Sequence, residues 1–145
     1  ITQGENQGIH QRFHDATDYA PEAQIAMVLG SPKFLTERRD VAVRFMAAYL
    51  RGVRDYHDLF IKDIDDNGEV ISIMANHTAL KDEALWKEVG VTGLNPNGYI
   101  FEEDVEKQYQ FYKENGAIQG ELDFDQIIDM SLVEEALDLI GTYEE

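Results

Sequence analysis

The sequence predicts a mostly α-helical chain with one or two buried β-strands. Two observations carry this. Ala42, Phe45, Met46, Tyr49, Val53 and Tyr56 recur three or four residues apart, the spacing of one apolar stripe along a helix of about twenty residues. Ahead of that stripe, Gln24 to Gly30 holds the unbroken apolar run Ile25-Ala26-Met27-Val28-Leu29, as in a strand covered on both faces. Such a strand needs neighbours in a sheet, and no other convincing strand follows.

The central helix has recognisable ends. Thr36 is a good N-cap, with Glu37 and Asp40 placing negative charge in the first turn, and Ser31-Pro32 reads as a shorter start just before it. Arg38, Arg44, Arg51 and Arg54 fall mostly off the stripe and are expected in water. Gly52 is costly inside a helix, so its expected use is to let another backbone come close.

Residues 1–22, rich in Gly, Gln, Asn and Asp, read as loop, and 23–145 as a single mainly helical domain. His10 and His14 stand four apart near Asp15 and Asp18, a spacing that suits zinc, although nothing there predicts a firm helix and no metal site is assigned. Asp63, Asp65, Asn67 and Gly68 match the first positions of an EF-hand loop, but the twelfth position, a bidentate acid in such loops, is Met74. An Asp-Asn-Gly turn explains the same residues, with Asp66 or Asn67 capping a helix that packs Val70, Ile71, Ile73 and Met74. His77 closes that helix.

Downstream, Thr78 or Asp82 caps a short helix packing Leu85, Trp86 and Val89, and Gly90 stops it. Asn95-Pro96 and Asn97-Gly98 are turn signals before a strong helix with Glu102, Glu103 and Asp104 in its first turn and Val105, Tyr109 and Tyr112 on one face. Asp123 or Asp125 caps a short segment; Ser131 and Glu134 form a capping box for a last helix that packs Leu132, Val133, Ala136, Leu137 and Ile140 and stops at Gly141.

Charge and composition exclude several functions. Twelve basic and twenty-nine acidic residues give −17, which argues against nucleic acid or an anionic membrane surface as partner. Residues 1–54 carry +1 and residues 55–145 carry −18. There is no cysteine, hence no thiolate metal site, and no apolar run approaches the eighteen or so residues of a membrane span. A Gly-rich phosphate loop, a GxSxG elbow and an HExxH pair are all absent, so an enzyme reading has no anchor and no cofactor is implied.

The order of segments resembles a known family. QIAMVLGS, then RFMAAYLRGVRDY, EVISIMANHTALKDEALW, GLNPNGYIFEEDVEKQYQFYKENGAI and LDFDQIIDMSLVEEALDLIG are similar to the C-terminal part of ABC-importer substrate-binding proteins for taurine, sulfonates, nitrate and thiamine-pyrimidine precursors. The similarity runs over about residues 16–143, and members of that family are two-lobed chains more than twice this length. The resemblance implies the C-terminal portion of a two-lobed α/β periplasmic-binding-protein (type II) fold, with residues 1–22 as the crossover between lobes. It implies a non-catalytic role, periplasmic or extracellular and membrane-associated: capturing a small solute and delivering it to an ABC permease. Its partners would be that solute, the permease and an N-terminal lobe missing from this sequence, with any export signal upstream and self-association of the isolated chain expected. Tyr19 and Gln24, near the crossover, are the ligand-binding candidates. The alternative is a stand-alone acidic helical protein-interaction module.

Overall fold

The computed structural model describes residues 1–64, 67–89 and 92–144, and among them the chain is helical with no strand. Eight α-helices follow in order: α1 (Thr2–Asn6), α2 (Pro32–Glu37), α3 (Arg39–Phe60), α4 (Glu69–His77), α5 (Glu83–Trp86), α6 (Glu102–Glu114), α7 (Phe124–Ile127) and α8 (Ser131–Ile140); a 3-10 turn spans Ala16–Asp18.

The expected α/β architecture is therefore corrected: the described residues form neither buried strands nor part of a two-lobed α/β body. Residues 24–30 belong to no regular element, and among the described residues no strand lies beside them, so there is no sheet. Nor is the run buried: Ile25 is 72% exposed and Leu29 88%.

The core lies between α3 and α8. Ala42, Val43, Met46, Ala47, Leu50 and Val53 are buried on α3, and Leu132, Val133, Ala136 and Leu137 on α8. Small residues at Ala42, Ala47 and Ala136 allow close approach, and Leu50 fills the centre with no exposed surface. Phe34 and Leu35 of α2 and Met130 and Ile140 close the ends of this cluster. The stripe is rotated from the expected one. Val53 and Met46 are buried as expected, but Phe45 is 51% exposed and Tyr49 39%.

Several ends differ from the sequence reading. The central helix is broken at Arg38, whose backbone is non-helical, so α2 and α3 are separate. Ser31 caps α2, accepting from the Phe34 amide at 3.2 Å, while Thr36 lies inside α2 with its hydroxyl donating to the Pro32 carbonyl. Asp82 caps α5 as expected, accepting from the amides of Ala84 and Leu85. Helix α4 starts from Gly68 at φ +80°, and Ile73 on it is exposed. Helix α8 has no capping box; Asp129 instead accepts from the Ser131 amide at 2.9 Å and from its hydroxyl. Gly141, at φ +76°, ends α8 as expected. The reading of Asp65, Asp66 and Gly90 falls outside the described residues.

Gly52 sits in mid-α3, where glycine costs roughly 1 kcal/mol against alanine. A Cβ there would meet nothing within 4 Å, so no backbone described in this chain uses the space.

Candidate functional site

Gln24 ties the segment ahead of the core to α6. Its amide N–H donates to Asp104 Oδ2 at 2.7 Å, and its side-chain Oε1 accepts from the Phe101 amide at 2.9 Å. Gln108 Nε2 donates both to the Gln24 carbonyl at 2.9 Å and to Asp104 Oδ2 at 2.6 Å. Phe101 is the N-cap residue of α6 and has no side-chain acceptor to offer. Gln24 Oε1 instead takes the N–H of Phe101 itself, the part an N3 acid plays in a capping box, and Asp104, three residues into the helix, receives the Gln24 N–H. This is the reciprocity of a capping box relayed through a residue far away in sequence. These hydrogen bonds, first the one from the Gln24 amide and then the one from Gln108, hold the Asp104 carboxyl below its ordinary value.

Beyond this anchor the chain is open. Gln24 Nε2 donates to the Ala26 carbonyl, but among the described residues no hydrogen bond is made by the amides of 25–29. Five apolar residues thus emerge from a fixed point with unpaired amides, as at an open sheet edge.

Tyr19 is 74% exposed and follows the 3-10 turn. Its ring meets His14 edge-on at 5.4 Å, and His14 meets Phe13 at 4.6 Å. No hydrogen bond or ring contact joins Tyr19 to Gln24 among the described residues, so the two ligand-binding candidates stand in separate surroundings. His14 Nδ1 lies 3.2 Å from Asp18 Oδ2, whereas the His10 ring packs over Gly4. Among the described residues no three of His, Asp and Glu gather as metal ligands.

Two open hollows mark the surface. One is lined by α6 alone, including Glu103, Lys107 and Phe111; the other lies between α4 and α5, around Ile71, Glu83 and Lys87. Neither reaches Tyr19 or Gln24. Of the α6 aromatics only Tyr109 is buried, edge-on to Phe124 at 5.4 Å with its hydroxyl donating to the Gly120 carbonyl. Tyr112, expected on the same face as Tyr109, is exposed, and so is Phe111. Trp86 is half-buried, and its indole N–H donates to the Leu80 carbonyl at 3.1 Å.

One cluster had no signal in the sequence. Arg54, expected in water, is half-buried and donates to the carbonyls of Pro96 at 3.1 Å and Gly141 at 2.6 Å, bringing positive charge to the C-terminal end of α8. Asn97 accepts from the Tyr143 amide at 2.7 Å and donates to its carbonyl, and the Tyr143 hydroxyl binds Asp58. Together these residues bind the last described residues to α3.

Compared with protein-family models, curated proteins and solved structures, the chain matches none. No helix among the described residues is long and apolar enough to cross a membrane.

Proposed function

We propose that this chain is a non-catalytic, partner-dependent binding component of an ABC importer. In this reading it captures a small organic or anionic solute, of the sulfonate or taurine, nitrate or pyrimidine kind, outside the membrane and delivers it to the permease. The observation that carries the reading is the segment 25–29, fixed at Gln24 and open beyond it. A run with this composition and these unpaired amides is suited to pairing with another polypeptide body. The order of the segments from QIAMVLGS to LDFDQIIDMSLVEEALDLIG supports the importer as the setting. The surface hollows are open, so enclosing a solute would require a second body to supply the opposite wall.

A second reading, an acidic helical interaction module unrelated to transport, is favoured by the α3–α8 core, which closes among helices without a sheet. Calorimetry with taurine, an alkanesulfonate, nitrate and an aminopyrimidine separates the two. It is run on the 145-residue chain and on the polypeptide encoded by the complete reading frame. The importer reading expects no saturable heat from the chain alone and a one-to-one isotherm with one of these solutes from the whole product. A complete product that binds none of them would leave the interaction module.

A further inference from the structure

Helix α3 has two apolar faces, and the chain uses one. Ala42, Val43, Met46, Ala47, Leu50 and Val53 are buried, most of them against α8. Phe45, Ala48, Tyr49 and Gly52 are exposed, three or four residues apart, and form a second stripe. At Gly52 a Cβ would meet nothing within 4 Å, so the notch it leaves beside two exposed rings is unfilled.

We propose that this stripe is the contact face of a homodimer, with α3 packed antiparallel on α3 of a second copy. The sizes of the residues set the register. With the two-fold axis between Ala48 and Tyr49, Phe45 of each copy faces Gly52 of the other, and Tyr49 faces Ala48. Each ring then meets a small residue. Moving the axis to Ala47 sets Phe45 against Tyr49, ring against ring, and loses the fit.

Charge favours the same occupant. A second copy also carries −17, but residues 55–145 hold −18 of it and residues 1–54 hold +1. The stripe belongs to the near-neutral part, while Glu134, Glu135 and Asp138 ride on α8, which covers the opposite face of α3. In the stated register Arg44 lies about two residues, roughly 3 Å along the axis, from Asp55 of the second copy. Both side chains are exposed, and Arg44 now holds only its neighbour Asp40, at 3.1 Å. One helix pair is a small contact, so the dimer is a reversible one.

Two measurements test this. The chain has no cysteine, so Ala48→Cys introduces a single thiol one residue from its symmetry mate. Mild oxidation should give a disulfide-linked dimer from A48C, and much less from Gln110→Cys, an exposed position on α6. Sedimentation equilibrium should show wild type shifting from monomer to dimer as concentration rises. Gly52→Leu, which fills the notch with a better helix former, should remain monomeric with unchanged far-UV circular dichroism. Arg44→Glu should weaken the dimer several-fold, and adding Asp55→Arg should restore it. The proposal is overturned if wild type stays monomeric at the highest soluble concentration, or if A48C crosslinks no better than the control. Association of Gly52→Leu equal to that of wild type overturns it as well, since another face such as 25–29 would then be responsible.

Discussion

Replacing Leu50 with alanine is expected to cost the fold about 3 kcal/mol. Leu50 has no exposed surface and sits at the centre of the cluster shared by α3 and α8. Its third wall is the turn at Asn95–Gly98, where a Cβ on Gly98 would come within 2.7 Å of Leu50 Cδ2 and 3.3 Å of Val133 Cγ1. Leu→Ala changes in well-packed cores cost about 2–5 kcal/mol, least where the walls can collapse. Here two helices braced by Arg39, which reaches Glu135 at 2.6 Å, and by Arg54 limit the collapse, so a value in the middle of that range is expected. Against a typical total stability of about 5–15 kcal/mol this is a large loss. Urea unfolding of the dilute, monomeric chain followed by far-UV circular dichroism measures it, with Phe45→Ala on the open face of the same helix as the control, expected within about 0.5 kcal/mol. Gly98→Ala supplies a second check. Its φ of +78° and the crowding by Leu50 predict a loss of about 1–3 kcal/mol, reduced when Leu50 is already alanine. A loss below about 1 kcal/mol for Leu50→Ala, or one equal to that of Phe45→Ala, would refute the assignment of the core to α3 and α8.

Three further outcomes follow from charge and ligation. The Asp104 carboxyl is held below its ordinary 3.8, so the tie to Gln24 is fully present above that pH and is lost as pH falls through the lower folded value. NMR should show the Asp104 carboxyl and the Gln24 amide shifting with one shared midpoint below 3.8; a midpoint at or above it would contradict the tie. Mutual repulsion among the acids of 55–145 should make Tm rise from low to moderate sodium chloride, since screening acts over about 8 Å at 0.15 M; a flat or falling Tm would show these charges to be too well paired to matter. Calorimetry with calcium should show no saturable heat, because Met74 lies in α4 where an EF-hand loop needs its bidentate acid; a micromolar isotherm abolished by Asp63→Ala would refute this.

What was legible in the sequence was local. The 3.6-residue spacing located α3, α6 and α8, and Asp82, Ser31-Pro32 and Gly141 marked ends correctly because each acts within one turn of itself. The run at 24–30 departs from the expected strand because a strand is a property of a pair. Its composition suits a buried sheet, yet the described chain offers no second strand, so the same residues lie outside any regular element and exposed. Which side of α3 is buried depended on α8, ninety residues away, and period alone does not separate Phe45 from the neighbouring Met46. Gln24 and Arg54 were legible least. The structural tie of Gln24 has no local signal: its polar groups hold the start of α6, some eighty residues on. Arg54 gathers carbonyls from the Asn95–Gly98 turn and the end of α8, and no spacing near residue 54 signals that.

Hydrogen exchange at Ile25 to Leu29 tests the central claim most directly. These amides make no hydrogen bond among the described residues, and the proposed function has them pairing with a second polypeptide body. In the 145-residue chain they should exchange at close to the rate of an unfolded peptide, while Ala47 and Leu50 in α3 are protected. If the complete reading frame supplies the second body that the proposed function requires, 25–29 should become as slow as the core in that polypeptide once a solute of the proposed kind is bound. Protection of 25–29 in the 145-residue chain held as a monomer, or continued fast exchange in the complete polypeptide, would contradict the account.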